Sequence, residues 1–176
     1  MARSEVVTPK DATLAAFVQS IALAAADAYD KAAPFLSDTS KPTARVFASH
    51  NRDHAAALAK LAGTSAATVP NQTLVAVLAG RLQNVVDERS AFAFAFDLEN
   101  QVVATYGFTL TTLTSVDVIH LVATILTVVA GHAAVVGTSA GINTNSLFPS
   151  GAMESTTVAD GADTKVGFDP MLYPVT

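Results

Sequence analysis

Apolar residues recur at spacings of three and four along most of the chain, and this period divides it into helices. Leu14, Phe17, Val18, Ile21, Ala25, Ala28 and Tyr29 form the first series. With Asp11 as an N-cap after Pro9 they predict a helix ending near Pro34. A polar loop over residues 37–42 follows. Thr43 opens a second helix, with Val46, Phe47, His50, His54, Ala57, Leu58 and Leu61 on one side and Gly63 as its C-terminal cap. Residues 64–71 form a connector, after which Leu74, Val75, Leu78, Leu82, Val85 and Val86 resume helical spacing. A third long helix is expected over residues 87–112. Phe92, Phe94 and Phe96 alternate like a strand, but Phe92, Phe96, Glu99, Val103 and Tyr106 keep the helical period over a longer window, and the longer window decides. Thr114, Ser115 and Asp117 start a fourth helix, apolar almost all round, that runs to about Gly137.

A run of that length matches the roughly 20 residues that cross a bilayer. A spanning helix normally carries Lys or Arg within about 15–20 residues of one end. Here neither occurs between Arg89 and Lys165, and Asp117, His120 and His132 interrupt the run. A buried bundle helix is expected instead of a membrane span. From residue 138 onward Gly, Ser, Thr, Asn and Pro surround isolated large residues: Ile142, Leu147, Phe148, Phe168, Met171, Leu172 and Tyr173. No helical period survives there. The expectation is a helical bundle over residues 1–137 and an irregular C-terminal arm over 138–176, lying across the bundle or a neighbouring copy, with residues 168–174 docked in extended form.

The chemically pointed residues are duplicated. Glu99 and Tyr106 lie seven apart on one helix, so they project from one face, and His132 follows on the next. Ala22, Tyr29 and His54 repeat the arrangement, with 25 residues from Tyr29 to His54 against 26 from Tyr106 to His132. The two helix pairs read as copies of one hairpin. Glu99-Asn100-Gln101-Val102-Val103-Ala104-Thr105-Tyr106 and Ala130-Gly131-His132-Ala133-Ala134 resemble the third and fourth helices of ferritin-like proteins. The resemblance implies an all-α, four-helix up-down bundle whose second and third helices run parallel, with a long crossover between them over about residues 64–86. It also implies two metal ions held by a Glu on each of two helices and a Glu-x-x-His on each of the others. Carried over position by position, the ligands fall on Ala22, Asn51, His54, Glu99, Val129 and His132. Of the implied carboxylates only Glu99 is present.

Composition narrows the rest. A chain of 176 residues suits one domain. Apolar residues make up 51% and charged residues 14%, which argues against disorder. The net charge of −5 and the long stretch without Lys or Arg leave little to neutralise phosphates, so nucleic acid is not an expected partner. Cysteine is absent, which excludes disulfides and thiolate sites. Residues 1–10 have no long apolar core behind Arg3, so no signal peptide is read and a cytoplasmic location is expected.

A dinuclear centre needs about four carboxylates to offset two cations. One Glu with neutral imidazoles does not supply them, and Val129 puts an apolar side chain one turn before His132. The leading expectation is a ferritin-like bundle that has lost its dinuclear site, carries no cofactor, and acts as a structural or binding protein in a homo-oligomer joined through apolar helix faces and the arm. An alternative is a metal-dependent oxidoreductase or iron-handling protein. His50 lies one turn before His54, and with Glu99 and His132 these would ligate one Zn or Fe ion. Asn51, Arg52 and Asp53 between the two histidines supply no hydrolase Glu. Glu99 and His132 alternatively form a buried pair, with Tyr106 or Asn51 satisfying what remains. A third reading places a small apolar ligand among the Ala and Val side chains. No Gly-rich phosphate loop or Ser/His/Asp set is found, and Asp160-Gly161-Ala162-Asp163 lacks the spacing of a calcium loop.

Overall fold

The computed structural model describes residues 7–147 and 167–175. Five long helices carry the chain: α1 (Pro9–Ala32), α2 (Lys41–Ala62), α3 (Gln72–Leu82), α4 (Glu88–Thr112) and α5 (Val116–Ser139), followed by a single turn, α6 (Thr144–Leu147). No strand occurs among the described residues. The protein is all-α, as the periodicity indicates.

Helix α1 begins earlier than expected because Thr8, not Asp11, is its cap. The Thr8 hydroxyl accepts from the Asp11 amide at 3.1 Å, and Pro9 fits the first turn, where no amide donor is needed. The Asp11 carboxylate is thereby released to bind the turn between α4 and α5. It accepts from the Ser115 amide at 2.7 Å and from the Thr114 amide and hydroxyl at 3.1 and 2.7 Å. Burial pushes the Asp11 carboxyl up, but these bonds outweigh it and hold the group below its ordinary value. At α4 a capping box joins Asp87 and Ser90.

These contacts fix the helix directions. Asp11, at the start of α1, meets the residues after α4, while Ser37, beyond α1, donates its amide and its hydroxyl to Glu88, the first residue of α4. α1 and α4 are therefore antiparallel. α2 returns along α1 and so runs parallel to α4, which requires the crossover that α3 occupies. Leu74 and Leu78 of α3 are buried against α1, whose Ala15, Ala16, Ala24, Ala25 and Ala28 let three neighbours approach closely. This is the up-down bundle with long crossover expected from the sequence.

Helix α5 corrects an expectation. It buries one face, through Val118, Val122, Ile125, Val129, His132, Ala133 and Val136, and leaves His120, Thr124, Thr127, Gly131, Val135 and Thr138 exposed. Among the described residues it packs chiefly on α4 and α2, while the crossover helix α3 packs on α1. Thr124, Thr127 and Thr138 donate to carbonyls of their own helix at 2.7–2.8 Å, so that side presents methyl groups. By length and composition α5 and the segment Pro9–Phe35 are both apolar enough to cross a membrane, though most of the latter is buried inside the bundle.

The C-terminal segment lies over its own bundle. Phe168 and Tyr173 are buried with ring centroids 5.1 Å apart, and the Phe168 amide donates to Thr105 at 2.7 Å. Asn71 donates to the Tyr173 carbonyl at 2.9 Å. Gly167 is needed for this approach, since a Cβ there would stand 2.5 Å from the Thr105 backbone nitrogen. Residues 168–174 are not extended as expected. Pro170 follows Asp169 in a turn closed by the Leu172 amide on the Asp169 carbonyl at 3.0 Å, the position at which proline favours a turn. Residues 148–166, including Phe148 and the Asp160–Asp163 stretch, lie outside the described residues.

Candidate functional site

Four helices each send one polar side chain to the middle of the bundle. α4 contributes Glu99, which is wholly buried. Tyr29 of α1 donates its hydroxyl to Glu99 Oε1 at 2.6 Å. His132 of α5 places Nδ1 3.4 Å from the same oxygen, near enough to interact electrostatically but without hydrogen-bond geometry. His132 Nε2 and Nδ1 of His50, on α2, are 3.0 Å apart and share one proton, with the two rings stacked at 5.2 Å. Phe47 seals the line, stacked on His132 at 4.0 Å and edge-on to Tyr29 at 5.9 Å.

The expected quartet is thus only partly assembled. His50, His132 and Glu99 form one row, whereas the His54 ring lies 6.4 Å from that of His50 and 6.5 Å from that of His132 and makes no bond to Glu99. Among the described residues no group of three His, Asp or Glu side chains is placed to hold a metal ion. Ala22 and Val129, at two positions where carboxylates are implied, are wholly buried. The outlying His120 is exposed.

The sequence places His132 beside Glu99 but names the wrong second partner for it. Neither Tyr106 nor Asn51 reaches it; Asn51 instead gives its amide to the Phe47 carbonyl at 3.0 Å. Tyr29, from the other copy of the hairpin, takes that role, and only the register between α1 and α4 reveals it. Five buried atoms in or near this row have no hydrogen-bond partner in the protein: Glu99 Oε2, His132 Nδ1, Asn51 Oδ1, His54 Nδ1 and the Tyr106 hydroxyl. Burial and then the charge of Glu99 push both Tyr29 and Tyr106 above the ordinary phenol range. Burial, then the neighbouring His132 and His50, depress His54 to about 4, so at neutral pH its ring is uncharged.

Beside Tyr29 runs a narrow apolar slot of about 10 Å³, lined by Ala32, Leu36, Ala44, Phe47 and Ala95. That volume suffices for about one water at most. A small apolar ligand has no room in this slot.

Comparison with curated proteins and with solved structures returned no match. The family profile described as a ferritin-like domain matches residues 11–141, which take in all five long helices but the first two residues of α1, and every residue of the buried row. With its four-helix arrangement and long crossover, the chain belongs to the ferritin-like domain family.

Proposed function

We propose that this protein is a ferritin-like bundle without a dinuclear metal centre, which acts as a structural or binding protein in a homo-oligomer. The observation that carries the reading is the donor set. Two divalent cations bring four positive charges, and the central row offers one carboxyl, which supplies at most one negative charge. The apolar Ala22 and Val129 fill two further ligand positions, and Asn51 contributes a neutral amide. His50 and His132 are directed at each other. The residues present do not fit a pair of ions.

The homo-oligomer is supported by the asymmetry of the surface. The side of the bundle formed by α1 and α4 is covered by α3 and the C-terminal segment, while the outer side of α5 has no Asp, Glu, Lys or Arg from Val118 to Gly137 and carries exposed His120 and Val135 and back-bonded threonines. An apolar face of this kind suits packing against a second copy.

The test is elemental analysis of iron, manganese and zinc in the purified protein, with oxygen uptake followed after Fe²⁺ addition to the wild type and to Glu99→Ala. The expected outcome is far less than two metal ions per chain and equal, background oxygen uptake in both proteins. Stoichiometric occupancy by two ions, or uptake that depends on Glu99, would overturn the reading.

A further inference from the structure

Along the outer side of α5 the exposed positions Asp117, His120, Thr124, Thr127, Gly131 and Thr138 follow one another at steps of three, four or seven. That spacing averages 3.5 residues, which keeps them on one seam for a second helix crossing at about 20°. The three threonines already give their hydroxyl protons to carbonyls of their own helix. Gly131 is the telling position, since a glycine inside a helix costs about 1 kcal/mol against alanine. At Gly137 the fold explains the glycine, because a Cβ would stand 2.5 Å from Leu147 and 2.7 Å from Phe96. At Gly131 a Cβ would meet nothing within 4 Å, so no contact in the described chain calls for the missing side chain. A second helix laid along the seam would call for it, because the distance between two packed helices is set by the side chains at their contact.

The charges at the two ends of the seam are complementary. Asp117 stands exposed at its start. At its other end the exposed Arg89 reaches over the last turn of α5: it lines a cleft with Ser139, Ala140 and Gly141, and a Cβ on Gly141 would stand 4.0 Å from its guanidinium. Neither the Asp117 nor the Arg89 side chain has a hydrogen bond or an ion pair among the described residues. Asp117 and Ser139 are 22 residues apart and so project within about 40° of each other along the helix. A two-fold axis across the middle of α5 therefore brings the acid of one copy to the Ser139 end of the other, where Arg89 lies. A parallel pairing would instead set Asp117 beside its own image and align the two helix dipoles, both of which are unfavourable.

We propose that the outer face of α5 is the docking surface for a second copy of this chain, bound antiparallel about a two-fold axis between Thr127 and Val128. Thr124 then faces the partner's Gly131, His120 faces the partner's Val135, and Asp117 comes beside the partner's Arg89. Because the pairing is isologous, each Arg89–Asp117 contact occurs twice and the assembly closes as a dimer. The proposal rests on the homo-oligomer of the reading above and adds its surface, direction and register; it does not depend on the metal content of the buried row.

The experiment follows the full chain by sedimentation velocity over a dilution series, with circular dichroism to confirm that each variant is folded. The wild type is expected as a dimer that dissociates on dilution. Gly131→Glu should abolish the dimer yet keep the helical signal, because the added side chain has open space in the single copy. Arg89→Glu and Asp117→Arg should each weaken association about tenfold, since each creates two like-charge contacts. Joining both substitutions in one chain exchanges the charges and should bring the dissociation constant back to within about threefold of the wild type, a rescue that a merely structural role of either residue would not give. Monomers at every concentration would overturn the homo-oligomer and this interface together. A dimer untouched by Gly131→Glu, or a doubly substituted chain that associates no more tightly than the single variants, would overturn this interface alone.

Discussion

The hairpins α1–α2 and α4–α5 carry the same tyrosine and the same histidine at matching places, but only the second has an acid. In α4–α5, Glu99 draws in His132 from its own hairpin and Tyr29 from the other. In α1–α2, Ala22 has no polar group to offer, and the equivalent groups, the buried Tyr106 and the half-buried His54, each keep a buried atom unpaired. One substitution in a duplicated site thus has two consequences. It halves the carboxyl charge that the two matching positions could supply, and it leaves donors of both hairpins dependent on one carboxyl or on none. Burial is equal for the two tyrosines, so what separates them is whether a partner was retained across the α1–α4 interface.

The comparison breaks most visibly if Glu99 is removed. Glu99→Ala leaves the Tyr29 hydroxyl unpaired and opens space in the core, and a loss of about 3 kcal/mol is expected in urea unfolding. Tyr29→Phe deletes a single hydrogen bond to the carboxyl, for which about 2 kcal/mol is expected by the same measurement. The His54 contribution appears as pH dependence. Its pKa is about 4 in the folded chain against 6.5 ordinarily, so the unfolded chain binds more protons between those values. Stability should therefore rise with pH across that window and fall as pH drops from 6.5 toward 4; His54→Gln should flatten the slope in unfolding curves recorded at pH 4.5 and 7. The smallest effect sharpens the contrast: Tyr106→Phe should change stability by less than about 0.5 kcal/mol or raise it slightly, since the deleted hydroxyl has no partner to lose. Equal losses for the two tyrosine variants would erase the distinction between the hairpins.

Much of this was legible in the sequence because it depends on local spacing. The apolar period marks the long helices to within a few residues, and the seven-residue step from Glu99 to Tyr106 marks an inward face. What the sequence withholds depends on register between helices. Nothing local tells that Tyr29, 70 positions before Glu99, would be its hydrogen-bond partner, or that Asp11 would tie down the turn before α5 and not cap its own helix. Neighbour number is equally invisible. α1, more broken by polar residues than α5, is the more deeply buried of the two because α2, α3 and α4 all pack against it, whereas α5 has chiefly two neighbours. At the C-terminal segment, Pro170 reads equally as an extended or a turn residue until its neighbours on α3 and α4 are known.

The central claim is that one carboxyl remains where a metal pair would need several. It is tested most directly by crystals grown with Fe²⁺ without oxygen and measured for anomalous scattering around residues 22, 51, 54, 99, 129 and 132. The expected map has no pair of iron peaks among those side chains. Two peaks a few ångströms apart at near-full occupancy would contradict the account.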